Sequence, residues 1–160
     1  HLKPVGRLDQ DSTGLIILTN DGEFINEMTH PSIKVPKVYL VQINGKFTAD
    51  DAEKMLNGIV IETDSGEKKT AYAETLPIEV NSKSSEIQVV LYHGINRQIR
   101  KMFAKLGFEV KSLKRIQHAT LTLEGLKRGQ IKAIKPKQVK ELKGYIAKIK
   151  REYAQNSNNG

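Results

Sequence analysis

The chain has 160 residues, of which 38% are hydrophobic, enough for one sizeable core and a single domain. Its 26 lysines and arginines outnumber the 18 acidic residues, and the net charge of +8 favours a polyanionic partner such as nucleic acid. Cysteine is absent, which excludes disulfides and thiolate nucleophiles, and no apolar run reaches the about 18 residues of a transmembrane helix. We therefore expect a soluble cytoplasmic protein.

The first elements along the chain are predicted to be a strand, a short helix and a second strand. Residues 14–19 form an apolar run that ends in the turn triplet Asn20-Asp21-Gly22, and a helix is predicted over 23–28. Residues 37–43 alternate in the manner of a strand. One face of that strand carries Tyr39, Val41 and Ile43.

A capping-box pattern predicts the second helix. Thr48 is followed three residues later by Asp51, and the helix is expected to end at Gly58. Its apolar residues at helical spacing are Ala52, Met55 and Leu56. Three further strands are predicted, over residues 58–62, 71–80 and 86–92.

The last part of the chain predicts one amphipathic helix, two strands and a basic helix. Asn96 is expected to cap a helix over 97–106, and Gly107 to end it. Strands follow at 109–116 and 119–123, then a helix over 136–153. Residues 1–153 are predicted to form one domain and residues 154–160 a disordered tail. Because strands outnumber helices, the fold class is α+β, with a mixed, mostly antiparallel central sheet flanked by helices.

Two segments could carry chemistry. In the first, Arg7 precedes Asp9 by two residues and a polar loop leads into an apolar run, a layout that can present a carboxylate at the mouth of a sheet. In the second, Arg97 and Arg100 lie one turn apart beside an apolar stripe, where they could clamp a carboxylate or phosphate. Taken alone, the first segment is better explained as an ordinary loop and the second as a solvated basic helix face.

Together the motifs resemble those of the pseudouridine synthases. They are Gly6-Arg7-Leu8-Asp9 with Thr13-Gly14-Leu15 and Leu18-Thr19-Asn20-Asp21-Gly22, then His30-Pro31-Ser32 with Lys37-Val38-Tyr39, then Asn96 to Met102. The resemblance is to the RsuA/RluB/RluE/RluF family, which acts on ribosomal RNA, and it covers residues 4 to 142. It implies a catalytic domain with the pseudouridine synthase fold. An upstream RNA-binding module of the S4 type, usual in that branch, is not visible here.

The resemblance assigns roles to residues of this sequence. By it, Asp9 is the catalytic aspartate, acting as nucleophile or base, Tyr39 stacks on the target base, and Arg100 is the basic partner of Asp9. Arg97 is a second candidate for that ion pair. The predicted substrate-binding residues are Arg7, which holds the extruded nucleotide or fills its vacancy, Arg97, Lys37, Lys101 and Ile99, although the position of Ile99 also fits core packing.

The implied activity is an isomerisation that converts one uridine of ribosomal RNA to pseudouridine, with no cofactor. The resemblance favours the large-subunit RNA, and small-subunit RNA is the alternative. The partner is an RNA with a flipped-out uridine, and a monomer is expected. The four histidines lack metal-ligand spacing, so no metal is predicted. Lys111, Lys114 and Arg115 are expected to flank the cleft. Two other classes remain open: a non-catalytic RNA-binding or ribosome-assembly module, and a glycosidase or nucleosidase.

Overall fold

A computed structural model describes residues 1–158, and over this range the chain forms ten strands and four helices. In chain order they are β1 (Lys3–Pro4), β2 (Thr13–Gly14), β3 (Leu18–Thr19), α1 (Gly22–Thr29), β4 (Lys37–Asn44), α2 (Ala49–Asn57), β5 (Ile59–Glu62), β6 (Lys68–Ala71), β7 (Glu74–Val80), β8 (Ser84–Leu91), α3 (Gln98–Lys105), β9 (Val110–His118), β10 (Leu121–Thr122) and α4 (Pro136–Asn158). Within residues 1–158 no helix combines the length and hydrophobicity needed to cross a membrane.

A six-stranded mixed sheet forms the centre of the fold. Its strand order is β10-β9-β4-β8-β7, and β2 pairs with β9. Neighbouring strands are antiparallel except β2 and β9, which run parallel. The pairs β1–β3 and β5–β6 form two small separate sheets. The predicted α+β class with a mostly antiparallel sheet is therefore confirmed.

The main core fills one face of this sheet, to which β8 and the second half of β4 contribute every second residue. Val41 and Ile43 on β4 are fully buried, as are Ile87 and Val89 on β8, so this face excludes water. The stripe of α3 packs on it through Ile99, Met102 and Phe103, and α2 adds Met55. A second core lies between α1 and α4, formed by Val5, Ile17, Phe24, Met28, Val35, Ala119, Leu142 and Ile146.

Several local predictions are confirmed. Helix α1 begins after Asp21, whose carboxylate accepts a hydrogen bond from the Phe24 N–H. The capping box of α2 is complete, since the Thr48 hydroxyl accepts from the Asp51 N–H and the Asp51 carboxylate from the Thr48 N–H. Met55 is buried as predicted, whereas Leu56 is 58% exposed at the end of the helix.

Other predictions are wrong at their boundaries. Residues 14–19 form the two short strands β2 and β3 rather than one strand. The predicted strand 71–80 is divided into β6 and β7 because the Ala73 N–H turns to donate to the Met55 carbonyl oxygen. The predicted strand 119–123 retains only β10. Helix α4 continues to Asn158, where a disordered tail is expected from residue 154, and residues 159–160 lie outside the described residues.

The start of α3 also differs from the prediction. Asn96 does not cap the helix, because its amide donates to the Asp64 carboxylate on the β5–β6 hairpin. Arg97 takes the N-cap position instead, with a left-handed backbone (φ 57°, ψ 29°). A non-glycine residue in this conformation is uncommon, and the side chain of Arg97 contacts the carboxylates of Asp9 and Asp11.

Candidate active site

Asp9 lies in the loop between β1 and β2, and backbone contacts fix the path of this loop. The Ser12 N–H donates to the Asp9 carbonyl oxygen over 2.9 Å, which closes a turn. Gly14 then pairs with Arg115 on β9, and the Leu15 N–H donates to the Arg115 carbonyl oxygen over 2.8 Å. A Cβ on Gly14 would lie 2.2 Å from that oxygen, so only glycine permits this approach. The turn therefore holds Asp9 close to β9.

The two carboxylates of the loop meet the two arginines of α3. Arg97 donates through both terminal nitrogens to the Asp11 carboxylate, each over 3.0 Å. Its Nη1 also lies 3.8 Å from Oδ2 of Asp9. Arg100 donates to the Asp11 carbonyl oxygen over 3.0 Å, and its Nε is 3.5 Å from the Asp11 carboxylate. One guanidinium, that of Arg97, thus bridges Asp9 and Asp11.

The two carboxylates are not equivalent. The hydrogen bonds from Arg97 lower the pKa of Asp11 to about 2, and Asp11 in turn raises the pKa of Arg97. At neutral pH Asp11 is therefore ionised, and both of its carboxylate oxygens accept hydrogen bonds from Arg97. The carboxylate of Asp9 accepts no hydrogen bond from any residue in 1–158, and its side chain is 25% exposed. Asp9 thus keeps its oxygen lone pairs available beside a positive charge.

The arginine that pairs with Asp9 differs from the one predicted. Arg100 contacts Asp11, and the arginine close to the carboxylate of Asp9 is Arg97. Arg97 precedes the first turn of α3 and has a left-handed backbone, whereas Arg100 lies one turn further along the helix. Both side chains contact the loop between β1 and β2. Asp9, Arg97 and Arg100 are nevertheless brought together in one cluster across about 90 residues of sequence.

Tyr39 lies on β4 directly opposite Arg115 of β9, next to the Asp9 loop. Burial raises the pKa of the Tyr39 phenol, the Arg115 guanidinium beside it opposes this rise, and the charge of Asp9 adds to it. The phenol is therefore protonated at neutral pH and can donate a hydrogen bond. The Asp9 carboxylate is therefore close enough to this phenol to affect its pKa.

A group of basic side chains borders the tyrosine. Lys37 lies opposite His118 in the sheet, and burial and the charge of Arg115 lower the pKa of Lys37. His118 is 1% exposed, and neither of its ring nitrogens has a hydrogen-bond partner within residues 1–158. Burial, then Arg115 and Lys37, lower the pKa of His118 to about 3, so its ring is neutral at pH 7. Lys37 is partly exposed, whereas Arg115 and His118 are buried.

Of the remaining predicted substrate-binding residues, some lie at the site and one lies in the core. Lys101 lies at the site, but its ammonium is paired with Asp64 over 3.1 Å. Arg7 is exposed on the loop before Asp9 and has no ion pair or side-chain hydrogen bond within residues 1–158. Ile99 is 3% exposed and packs in the main core. A groove of about 790 Å³ on α4, lined partly by Val139 and Lys143, contains none of the predicted catalytic residues.

No role was predicted for Asp11 from the sequence, and the environment expected for Arg115 is wrong. Asp11 organises both arginines of α3, although a carboxylate two residues after Asp9 is visible in the motif. Arg115 was expected to flank the cleft, yet it is 1% exposed and lies opposite Tyr39 in the sheet. Its position two residues after the apolar Leu113 on β9 is the signal that could have placed it on the buried face.

Comparison with known proteins identifies relatives over most of the chain. Residues 1–105 match the family model described as RNA pseudouridylate synthase. A ribosomal large subunit pseudouridine synthase B from Bacillus subtilis is 39% identical over 143 residues, which is 89% of this chain and 58% of the relative. A ribosomal large subunit pseudouridine synthase E from Vibrio parahaemolyticus is 34% identical over 81% of this chain and 58% of its own length. The chain thus spans less than two thirds of these relatives.

Solved structures give the same result for the fold. A crystal structure of a pseudouridylate synthase superposes with a TM-score of 0.79 and 27% identity, over 88% of this chain and 59% of that one. A Cbf5-Nop10-Gar1 complex matches with a TM-score of 0.58 and 13% identity over 74% of this chain and 40% of that chain, which shows a common fold alone.

Proposed function

Because the chain belongs to the RNA pseudouridylate synthase family, we propose that it converts a specific uridine of ribosomal RNA to pseudouridine, with Asp9 as nucleophile or base. The observation that carries the proposal is the cluster of Asp9, Arg97 and Tyr39, in which a carboxylate that accepts no hydrogen bond within residues 1–158 lies beside a guanidinium and a half-buried phenol. The names of the relatives favour large-subunit RNA over small-subunit RNA as the substrate. A ribosomal RNA substrate implies a cytoplasmic location, and we propose that the protein acts as a monomer.

The reaction explains why these residue types are needed. The bond between uracil N1 and C1′ of the ribose breaks, the uracil turns, and C5 forms the new bond to C1′. The proton on C5 is lost and N1 gains one, so no net oxidation or hydrolysis occurs. A carboxylate can attack the ribose or remove a proton from it, and the nearby Arg97 orients Asp9 for either role.

The base must leave its helix before this chemistry can occur. Enzymes that act on a base in a folded RNA flip the nucleotide into a pocket, where an aromatic ring can stack on it. Tyr39 supplies that ring, and its protonated phenol can donate to an oxygen of the uracil. We propose that the exposed Arg7 fills the space left by the nucleotide.

Cations around the cluster would bind the neighbouring phosphates. Arg97, Lys37 and Lys101 are the candidates. Lys101 can exchange the exposed carboxylate of Asp64 for a phosphate at little cost, because exposed ion pairs are worth at most about 1 kcal/mol. Ile99, the other predicted substrate-binding residue on α3, is 3% exposed and packs in the main core.

Release of tritium from RNA labelled at C5 of uridine tests the proposal, because the C5 hydrogen is lost only when C5 bonds to the ribose. The full-length protein and ribosomal RNA fragments are used, and the wild type is expected to release tritium and form pseudouridine at one site. Asp9→Asn should remove this activity and leave RNA binding intact. Asp50→Asn is the control, since Asp50 forms an exposed ion pair with Lys54 on α2.

Two results would overturn the proposal. RNA binding with no pseudouridine from the wild type would favour a binding or assembly module, and release of free uracil would favour a nucleosidase. Mapping of pseudouridine in ribosomal RNA from cells that lack the protein then identifies the position, because one modified site should disappear.

A further inference from the structure

Arg115 is a buried arginine without an acidic partner. Its side chain is 1% exposed, and it forms no ion pair within residues 1–158. Charged side chains are rarely buried unless they are paired, because removal from water costs several kcal/mol. Its Nε donates to the Leu15 carbonyl oxygen over 2.9 Å, whereas Nη2 is buried without a partner among the described residues. A cation retained at such a cost points to a role beyond packing.

The position of Arg115 links two parts of the candidate site. On one side of β9, the backbone of Arg115 pairs with Gly14 and accepts a hydrogen bond from Leu15, which anchors the loop that carries Asp9. On the other side, Arg115 lies opposite Tyr39 in the β4–β9 ladder, next to a register shift between Val38 and Tyr39. The side chain thus lies where the loop and the tyrosine strand meet.

The charge of Arg115 acts on each titratable group that faces it. Burial is the larger cause of the lowered pKa of Lys37 and of His118, and the charge of Arg115 lowers both further, because a nearby cation disfavours a second positive charge. It also opposes the effect of burial and of Asp9 on the Tyr39 phenol. Tyr39 is the one of these three groups whose ionised form is an anion, so it is the group that Arg115 stabilises when charge develops.

We propose that Arg115 is a positioning residue for Tyr39. Its guanidinium fixes the phenol relative to the Asp9 loop and supplies the positive charge that stabilises negative charge on the phenol oxygen. The contact itself does not depend on RNA; its value to catalysis rests on the function proposed above.

The test is a pH titration of the Tyr39 phenol in the free protein. It is monitored by NMR of tyrosine labelled with ¹³C at Cζ, and the Tyr39 resonance is assigned as the one missing from Tyr39→Phe. Arg115→Met should raise the midpoint of the Tyr39 titration by about one pH unit, because the neighbouring cation is lost. Arg115→Lys should raise it less. Lys114→Met is the matched control, since Lys114 is the exposed neighbour on the same strand. An unchanged midpoint in Arg115→Met would overturn the proposal.

A second measurement covers the case in which Arg115→Met does not fold. Tyr39→Phe retains the ring and removes only the hydroxyl, so the fold should be kept. The ¹⁵Nε and Nη resonances of Arg115 are then expected to shift relative to the wild type, and unchanged resonances would refute the contact. Both measurements use no RNA, so their failure is distinct from failure of the proposed activity. With RNA, Arg115→Lys should lower kcat by about tenfold with little change in KM.

Discussion

Replacement of Gly14 by alanine should separate the loop that carries Asp9 from β9. Gly14 has φ +116°, and a Cβ there would lie 2.2 Å from the carbonyl oxygen of Arg115 and 2.5 Å from its nitrogen. Contacts of a Cβ below 3.0 Å are essentially never found, so the two backbones must separate by about 0.8 Å or more. Both obstructing atoms belong to backbone in the central sheet, so neither can turn aside.

The magnitude follows from three contributions. A positive φ costs an alanine about 1–2 kcal/mol. The hydrogen bond from Leu15 to the Arg115 carbonyl oxygen, which is 2.8 Å long, contributes about 1 kcal/mol more when it is lost. Displacement of the β2–β9 pairing adds to both, so the free energy of unfolding should fall by about 3 kcal/mol. A displacement near 1 Å at the catalytic carboxylate should also reduce kcat/KM by about a hundredfold.

The assay compares urea denaturation and pseudouridine formation for two alanine variants. Gly129→Ala is the matched control, because Gly129 also has a positive φ, of +80°, but nothing within 4 Å of its Cβ position. It should lose only about 1 kcal/mol and keep its activity. Activity is measured at a temperature at which both variants are folded. If Gly14→Ala loses no more stability than Gly129→Ala, the close approach to Arg115 does not hold the loop, and the reasoning fails.

Two further predictions concern charge. For His118, the unfolded chain binds a proton near pH 6.5, whereas the folded protein resists protonation down to about pH 3, so the folded state loses stability as pH falls below 6.5. Between pH 7 and pH 5 the free energy of unfolding of the wild type should fall by about 2 kcal/mol more than that of His118→Gln. Equal losses in the two proteins would contradict the prediction. Asp11→Asn should lower kcat/KM by about tenfold with little change in the urea midpoint, because exposed ion pairs add little stability while this one orders Arg97 and Arg100. Asp50→Asn should leave both quantities unchanged, and equal effects of the two aspartate variants would show that Asp11 has no special role.

The sequence reliably indicated elements whose causes are local. The capping box of Thr48 and Asp51 and the alternation of β4 depend on residues a few positions apart, and both are present in the structure. The motifs around Asp9, Tyr39 and Arg100 indicated the family in the same way, because their residue types and order are visible without coordinates.

The boundaries of short elements were less predictable because tertiary contacts set them. The apolar run 14–19 has the composition of one strand, yet Gly14 pairs with β9 while Leu18 pairs with β1, so the run is divided between two sheets. Asn96 has the residue type of a helix cap, but Asp64 on a distant hairpin takes its amide. A local propensity of about 1 kcal/mol is easily outweighed by such contacts.

The sequence by itself determined which chemical groups the site contains, and the tertiary structure decided which of them meet. Arg97 and Arg100 are equivalent in sequence, one turn apart, but only the backbone conformation of Arg97 brings its guanidinium to Asp9. Arg115 is 100 residues from Leu15, and its position opposite Tyr39 depends on the register of β4 with β9. The physical reason is that residue type is a property of each position, whereas the distances that set charge pairing and pKa arise only when separate segments pack together.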